Sequence, residues 1–259
     1  MRIAVITGAS SGMGKQFALK LKNNFSVDEV WLIARNRDRL SETAENCGIP
    51  ARVFSMDLGD TNAYFEYINA LKENNPDVAL LVNCSGFGKF AAFCDTPMQD
   101  NLNMIDINCK ALTAMTQLTL PYMHEGAKIV NVASVAAYQP IPYINVYAAT
   151  KSYVLFFSRA LNRELKSRKI SVTAICPFWT KTAFFDRAIN KDDKDVIVKK
   201  YAVLYDPEKV VDKAYKDVAR GKEISIYGSY ARFQCFLTKI LPHKFVMNVW
   251  LSQQKLKNR

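Results

Sequence analysis

Tyr147 and Lys151 are the residues whose types and spacing most directly suggest chemistry. Residues four apart share one face of a helix, a single turn from each other. A phenol has an ordinary pKa near ~10, and an ammonium ~4 Å away at an effective dielectric of ~20 is worth roughly 4 kcal/mol, or about three pKa units. The pair therefore predicts a tyrosine whose pKa is lowered enough to exchange a proton near neutral pH.

Two further segments accompany this pair. Ser134 ends an apolar run and lies thirteen positions before Tyr147. Near the N-terminus, residues 7–14 read TGASSGMG and follow an apolar stretch. Glycines permit positive φ and close approach of the backbone, and a helix that begins there offers free N–H groups to a pyrophosphate. These segments predict a dinucleotide held beside a proton-transfer pair.

In chain order, the glycine-rich turn, the serine and the YxxxK pair resemble the short-chain dehydrogenase/reductase family, over a match that runs to about Thr182. The resemblance implies that Tyr147 donates or removes a proton at the substrate oxygen, which Ser134 orients. It implies that Lys151 lowers the tyrosine pKa and binds the nicotinamide ribose. Asn108 is expected to hold a helix kink and to complete a proton relay. The implied activity interconverts a ketone and a secondary alcohol.

The resemblance also implies residues that bind the adenine half of a cofactor. The Asp57 side chain and the Leu58 backbone are expected to frame the adenine, although Asp57 could equally cap a helix that begins near Thr61. Asn83 and Gly86 keep the structural and cofactor-facing positions of the family's NNAG motif, with Cys and Ser between them.

Residues 177–182 correspond to the segment that contacts the nicotinamide carboxamide in the family. Phe178 stands where the family has a glycine, so the local turn must avoid positive φ. The cofactor-binding residues that the resemblance implies are Gly8, Ser10, Ser11, Gly12, Met13, Gly14, Arg35, Asn36, Asp57, Leu58, Asn83, Gly86, Tyr147, Lys151, Pro177, Thr180 and Thr182.

Arg35 follows the second predicted strand and is joined there by Asn36 and Arg37. An acidic residue at this point would bind a ribose 2′-OH, whereas an arginine can pair with a 2′-phosphate. Arg35 therefore predicts NADP(H) in preference to NAD(H), assisted by its two neighbours. The alternative is a solvated arginine at the sheet edge, and Asp38 lies close by.

Apolar segments rich in Val, Ile, Leu and Ala alternate with helical stretches through the chain. This pattern indicates a parallel sheet covered on both faces. The predicted fold is a doubly wound, Rossmann-type α/β fold with about seven strands, which binds ligands beyond the strands' carboxyl ends. The predicted strands are 3–7, 29–34, 51–56, 79–83, 128–132, 171–176 and 223–226. Residues 1–228 are predicted to form this single domain, and 229–259 a basic, amphipathic helical extension packed on it.

Composition excludes several classes of function. Six cysteines without a CxxC motif indicate reduced thiols, and only two histidines argue against a metal site or Ser-His-Asp hydrolysis. The net charge of +11 is unevenly distributed, because no acidic residue follows Glu223 while six basic residues do, so nucleic-acid binding is not expected.

The N-terminus passes directly into a strand and no apolar run approaches the ~20 residues of a membrane span, so we expect a soluble, cytoplasmic protein.

The segments after strands four to six supply an apolar and aromatic substrate wall. Its predicted members are Phe87, Phe90, Phe93, Tyr138, Ile141, Tyr143, Phe178, Trp179, Phe184 and Phe185, with a charged lid over 186–194. Such a wall suits a flat or long apolar carbonyl or alcohol substrate, and a hydroxysteroid or bile acid is one candidate. The alternatives are a 3-oxoacyl-type carbonyl reductase of lipid metabolism and a non-catalytic dinucleotide-sensing scaffold.

Residues 229–259 carry apolar side chains at helical spacing among basic ones. We expect these residues to pack on the protein's own pocket or a partner subunit, with peripheral membrane contact as the less favoured alternative. The family resemblance further implies a homodimer or homotetramer, assembled through the predicted helices 100–123 and 147–167.

Overall fold

The structure, a computed structural model, describes residues 1–184, 188, 197–198 and 201–256. Seven parallel strands form one sheet in the order β3-β2-β1-β4-β5-β6-β7. The strands are β1 Arg2–Thr7, β2 Glu29–Ala34, β3 Ala51–Ser55, β4 Asp77–Asn83, β5 Lys128–Val132, β6 Ser171–Ile175 and β7 Ile224–Ser225. The prediction of a doubly wound sheet of about seven strands is confirmed.

Helices connect the strands and extend beyond the last one. The α-helices of the described residues are α1 Gly12–Lys20, α2 Arg37–Asn46, α3 Tyr64–Asn74, α4 Met98–Ile105, α5 Leu112–Thr119, α6 Asn145–Glu164, α7 Pro207–Ala219, α8 Ser229–Ile240 and α9 His243–Gln253. A π-helical segment, Asp106–Ala111, joins α4 to α5. Short 3₁₀ turns are Leu21–Asn23, Thr61–Ala63, Phe93–Asp95, Leu120–Tyr122, Val135–Tyr138 and Leu165–Arg168.

The apolar strands are buried because helices cover both faces of the sheet. Successive strand residues point to opposite faces. In β1, Ile3 and Val5 pack with residues of α3 and α5, whereas Ala4 and Ile6 pack with residues of α1 and α7. All four side chains are fully buried. Burying a side chain of this kind contributes roughly 1.5–3 kcal/mol for the larger residues, so the sheet is the stable platform on which the site rests.

The winding direction reverses at β1, which pairs with β2 on one side and β4 on the other. Such a reversal leaves a crevice at the carboxyl ends of the strands. The Thr7 hydroxyl fixes this crevice, because its Oγ1 accepts hydrogen bonds from the backbone N–H groups of Cys84 at 3.0 Å and Ser85 at 3.1 Å.

None of the helices in the described part of the chain combines the length and hydropathy needed to cross a bilayer. All six cysteines are free thiols. Cys47, Cys176 and Cys235 are buried, while Cys94 is exposed.

Candidate active site

Ser134 follows β5, and Tyr147 and Lys151 lie in the first two turns of α6, so all three meet at the carboxyl edge of the sheet. The Lys151 Nζ donates a hydrogen bond to the Val132 carbonyl at 2.8 Å and lies 5.7 Å from the centroid of the Tyr147 ring. The Ser134 hydroxyl lies near the Tyr147 phenol and lowers the pKa of that group. The backbone N–H of Ala136 donates to the Ser134 Oγ at 3.1 Å, which fixes the hydroxyl.

Burial is the main cause of the pKa shifts of Tyr147 and Lys151. It raises the pKa of Tyr147 to about 12, although the Ser134 hydroxyl lowers that pKa. Burial also lowers the pKa of Lys151 to about 8. The prediction that Lys151 brings the phenol's pKa toward neutrality is therefore wrong, because the ammonium lies over the ring and is directed at the Val132 carbonyl. Tyr147 is held as a neutral phenol at neutral pH.

Asn108 lies within the π-helical segment Asp106–Ala111, where the helix departs from α geometry. Its Nδ2 donates to the Phe87 carbonyl at 2.9 Å and to the Thr150 Oγ1 at 3.0 Å, and its Oδ1 accepts from the Phe87 N–H at 3.0 Å. The Thr150 hydroxyl in turn donates to the Tyr147 carbonyl at 2.7 Å. Asn108 thus holds both the loop after β4 and the catalytic helix, at the kink that the family resemblance implied.

Gly86 separates Asn108 from the buried ammonium. A Cβ at this position would lie 2.9 Å from the Asn108 Oδ1 and 3.3 Å from the Lys151 Nζ. Only glycine therefore leaves room for the two side chains to face each other across the backbone.

A groove runs along the carboxyl ends of the strands from β3 to β4. Its lining residues are Gly8, Ser10, Ser11, Gly12, Met13, Gly14, Ala34, Arg35, Asn36, Arg39, Met56, Asp57, Leu58, Cys84, Ser85, Gly86, Phe87, Ile107, Thr182, Ala183 and Phe184. A Cβ on Gly14 would lie 2.2 Å from the Gly8 carbonyl oxygen, so α1 begins unusually close to the turn. No acidic residue lies in its first turn. The N-terminus of α1 therefore presents N–H groups and partial positive charge to this groove.

Two arginines lie at the far end of the groove, Arg35 and Arg39. Arg35 pairs loosely with Asp57, with 3.8 Å between its Nη1 and Oδ2. The side chain of Asn36 caps α2, because its Oδ1 accepts from the Arg39 N–H at 2.9 Å. Arg37 was predicted to assist here, but the lining includes Arg39 instead. Arg39 lies on the opposite side of the helix from Arg37, because the two residue steps between these positions turn the helix by ~200°.

The structure places Asn83 differently from the prediction and decides between the two alternatives for Asp57. Asn83 was assigned to the cofactor, but it is buried beneath the groove, where its Nδ2 donates to Thr116 at 3.0 Å and to Asn131 at 2.9 Å. Asp57 lines the groove and does not cap the segment that starts at Thr61, because Asp60 is the cap.

The predicted nicotinamide segment follows β6 and faces the opposite end of the groove. Pro177, Thr180 and Thr182 all border the cavity described next, and Thr182 borders the groove as well. A Cβ on Gly12 would lie 3.3 Å from the Thr182 Cβ, so this segment closes over the glycine turn. Phe178 has no positive φ, as its replacement of a glycine required.

A cavity of about 370 Å³ opens beside Ser134 and Tyr147 and joins the groove. Residues common to both linings are Met13, Cys84, Gly86, Thr182 and Phe184. The outer wall comes from α8, α9 and the turn between them, through Tyr230, Phe233, Leu237, Leu241, Phe245, Val246, Val249 and Trp250. The Trp250 Nε1 donates to the Pro142 carbonyl at 3.1 Å and anchors α9 over this cavity.

The predicted substrate wall is correct in part. Members that line the cavity are Phe90, Ile141, Phe178, Trp179 and Phe184. Phe87 lines the groove, and Phe93 is 63% exposed. Tyr138 and Tyr143 are not among the lining residues, while Phe185 and most of the predicted lid over 186–194 lie outside the described residues.

Sequence reasoning missed Gln139. This side chain lines the cavity at 8% exposure, and its Oε1 has no hydrogen-bond partner among the described residues. A buried amide oxygen without a partner is costly, so this glutamine is held in the cavity wall at the expense of a hydrogen bond. A lone glutamine in a turn carries no spacing signal that could have identified it.

A sequence model of the short chain dehydrogenase family matches residues 2–193. The chain belongs to this family. It is 31% identical over 262 aligned residues to the very-long-chain 3-oxoacyl-CoA reductase of Anas platyrhynchos, an alignment that covers 97% of this chain and 80% of that protein.

Two solved structures are similar to this short-chain dehydrogenase. A short-chain dehydrogenase from Sphingobium yanoikuyae in complex with NADPH has a TM-score of 0.77 and 25% identity, with 96% of this chain and 95% of that chain covered. A 7β-hydroxysteroid dehydrogenase has a TM-score of 0.78 and 18% identity, with 96% of each chain covered. The second likeness shows the fold alone.

As a member of the family, this chain is an oxidoreductase that acts on a carbonyl or its CH–OH counterpart. The groove fits a nicotinamide dinucleotide: the glycine turn and the start of α1 would hold the pyrophosphate, and residues 177–182 would hold the nicotinamide. When bound, this cofactor supplies or accepts the hydride. The phenol of Tyr147, the hydroxyl of Ser134 and the ammonium of Lys151 lie together in the cavity lining, an arrangement that can donate a proton to a carbonyl oxygen.

Proposed function

We propose that this short-chain dehydrogenase is an NADPH-dependent reductase of 3-oxoacyl thioesters with apolar acyl chains. The observation that carries the proposal is the relationship to a very-long-chain 3-oxoacyl-CoA reductase, which extends over 97% of this chain and therefore includes the helices that wall the cavity. With a pKa of about 12, Tyr147 carries its proton at neutral pH and can supply it to a carbonyl oxygen.

Residues of the cavity lining could contact the 3-oxo group, the thioester carbonyl and the acyl chain of such a substrate. Its 3-oxo group would accept hydrogen bonds from Tyr147 and Ser134. The second carbonyl, that of the thioester, would accept a hydrogen bond from the Nε2 of Gln139, a residue of the same cavity lining, because the Gln139 Oε1 can only accept. The aromatic and aliphatic walls would take the acyl chain, because burying each methylene contributes ~0.8 kcal/mol.

The preference for NADP(H) is supported by Arg35 and Arg39 at the adenosine end of the groove. Guanidinium groups pair with phosphate through charge-assisted hydrogen bonds, which are stronger than neutral ones. No acidic residue occupies position 35, where a carboxylate would instead select the 2′-OH of NAD(H).

A hydroxysteroid or bile acid substrate has weaker support. The 7β-hydroxysteroid dehydrogenase is only 18% identical to this chain, so it bears on the fold and not on the substrate. A non-catalytic scaffold is also less favoured, because a protein that only senses the dinucleotide has no need of Ser134, Tyr147, Lys151 and Asn108 together.

A substrate series tests the proposal. The purified protein is given NADPH or NADH with 3-oxoacyl-CoA thioesters of increasing chain length or with steroid ketones, and coenzyme absorbance is followed. We expect kcat/KM for the thioesters to rise about fourfold per added methylene until the cavity is filled. Faster turnover of the steroid ketones would reject the acyl substrate, and no coenzyme oxidation with any ketone would reject the reductase.

The Gln139→Leu variant tests the proposed contact between Gln139 and the thioester carbonyl. It should raise the KM for a 3-oxoacyl thioester about three- to tenfold, since one hydrogen bond contributes ~0.5–1.5 kcal/mol. The KM for a simple ketone of equal length should not change. Gln99→Leu, which alters a surface glutamine paired with Asn103, is the control. Equal effects of Gln139→Leu on both substrates would contradict this role.

A further inference from the structure

Helix α8 is apolar on the side that faces solvent as well as on the side that faces the protein. Ala231, Cys235 and Thr238 form its buried side. A step of ~100° per residue places Phe233, Phe236 and Ile240 on the opposite side. These three side chains are 59%, 57% and 60% exposed. An exposed stripe of this kind on a monomer marks an interaction surface.

The exposed stripe continues onto α9 and reaches the cavity. Phe245 is 54% exposed and Val249 is 38% exposed, and both also line the cavity, as does Phe233. The apolar surface therefore surrounds the entrance through which an apolar substrate reaches Tyr147. We call this surface, formed by α8 and α9, the entrance face.

The charge on the entrance face has one sign. Arg232, Lys239, Lys244 and Lys255 are all exposed, and no acidic residue follows Glu223 in the sequence. On α8, Arg232 and Lys239 fall along the same border of the apolar stripe, because seven residues make almost two whole turns. A second copy docked by this face would bring these like charges together, which disfavours self-association. An anionic lipid surface complements both the charge and the apolar side chains.

We propose that the entrance face docks on an anionic lipid bilayer and turns the mouth of the cavity toward the lipid. Apolar side chains enter the boundary between headgroups and acyl chains, while the basic ones pair with anionic headgroups. An amphiphilic substrate then passes from the bilayer into the cavity without crossing water. The docking itself does not depend on the substrate being a 3-oxoacyl thioester, so it stands or falls separately from the proposed function.

Vesicle sedimentation tests the docking. The full chain is mixed with large unilamellar vesicles of phosphatidylcholine alone or with one third phosphatidylserine, and the bound fraction is measured at several salt concentrations. We expect binding to the mixed vesicles that weakens as salt rises, because exposed charges are screened. Equal binding to both compositions, or none to either, would overturn the proposal.

The apolar contribution is tested with Phe236→Ser, because Phe236 does not line the cavity. This variant should weaken vesicle binding at least tenfold while the turnover of a short, soluble ketone stays unchanged. Phe65→Ser on α3 is the matched control, since Phe65 is 63% exposed, and it should leave binding unchanged. Similar losses in the two variants would contradict the assignment of this face. So would a dimer in sedimentation velocity that Phe236→Ser dissociates.

The basic contribution is tested with Arg232→Gln/Lys244→Gln. Each basic residue at an anionic surface contributes ~1 kcal/mol, so we expect the loss of two to raise the Kd for mixed vesicles about thirtyfold. Lys22→Gln/Lys72→Gln removes the same charge from exposed positions elsewhere and should change the Kd less than about threefold.

The same double variant distinguishes lipid headgroups from the phosphates of coenzyme A. Without vesicles, its KM for an acyl-CoA and for the N-acetylcysteamine thioester of the same acid should match the wild type. A rise for acyl-CoA alone, with vesicle binding unchanged, would assign Arg232 and Lys244 to the coenzyme A phosphates and overturn the docking.

Discussion

Lys151 carries its ammonium group into a site where only 5% of the residue is exposed, with one carbonyl acceptor at 2.8 Å. Desolvation penalises the charge, and the low local dielectric makes the charge more effective on a nearby oxygen. Burial favours the neutral form of Tyr147 as well, but for a phenol this raises the pKa, whereas for the Lys151 ammonium it lowers the pKa. At neutral pH the site thus holds a protonated phenol beside a cation.

Tyr147→Phe should lower kcat by about 10³, because it removes the proton donor and general acid catalysis contributes ~10²–10⁴-fold. The Kd of NADPH, measured by fluorescence titration, should change little, because the ring remains. Tyr143→Phe removes a phenolic oxygen from a tyrosine outside the cavity lining and should retain full activity. A Tyr147→Phe enzyme with wild-type kcat would remove Tyr147 from the mechanism.

Lys151→Met should stabilise the fold, and the gain should shrink at high pH. The folded pKa of about 8 lies below the ordinary value of 10.5, so the unfolded chain binds the proton more tightly. Below pH ~8 the full penalty is on the order of 3 kcal/mol, and it is lost as pH rises through about 8 to 10.5. Urea unfolding of the wild type and the variant at pH 7 and pH 10 measures this penalty as the difference in their free energies of unfolding. A pH-independent difference between the two proteins would be inconsistent with a depressed pKa.

Arg35→Ala and Arg39→Ala should each raise the KM for NADPH about tenfold, since a hydrogen bond to a charged group contributes ~1.5–3 kcal/mol. The KM for NADH should not change. Arg37→Ala is the control, because Arg37 is exposed and absent from the groove lining. Initial-rate kinetics measures the KM of each coenzyme. Equal rises in the KM for NADPH and for NADH would contradict recognition of the 2′-phosphate.

At the scale of elements, the π-helical segment Asp106–Ala111 couples three parts of the site. Asn108 ties the loop after β4 to α6 through both backbone groups of Phe87 and through Thr150. π-helical segments are rare and occur frequently at functional sites. The position of α6 thus depends on one amide, and glutamine alone carries the same donors and acceptor, on a side chain one methylene longer.

Asn108→Ala should lower the free energy of unfolding by about 3 kcal/mol, because it removes three buried hydrogen bonds of the Asn108 amide. It should also lower kcat, because the loop after β4 and α6 lose their common anchor. Asn46→Ala, at the exposed end of α2, should cost less than ~0.5 kcal/mol. Denaturant unfolding and steady-state kinetics measure both. Unchanged stability in Asn108→Ala would show that the kink does not rely on this side chain.

The strands could be predicted because β-structure in a covered sheet has a plain signal, namely apolar runs between turns. The segments 29–34 and 128–132 match the observed strands, whereas the last strand is only Ile224–Ser225. Burial was harder to predict, because the pKa of Tyr147 depends on the aromatic residues of distant segments, such as Phe90 and Phe184. Arg39 was missed because its direction depends on where α2 begins.

For the whole molecule, the helices that were predicted to assemble subunits carry exposed apolar residues. Ile105 on α4 is 46% exposed and Phe156 on α6 is 66% exposed, and these two helices pack against each other. We expect sedimentation velocity to show a dimer or tetramer that Ile105→Glu/Phe156→Glu dissociates. Phe65→Glu, which places a charge on α3, should leave the assembly intact. A monomeric wild-type protein would contradict the expected oligomer.

The groove and the cavity touch at five residues, yet among the described residues no side chain of α8 or α9 borders the groove. Spent coenzyme can therefore leave along the strand ends while both helices stay where they are. An enzyme adsorbed on lipid would reload from the surrounding water and complete many catalytic cycles before it desorbs. Its throughput would then follow the supply of reduced coenzyme in solution, whatever the length of its stay on the membrane.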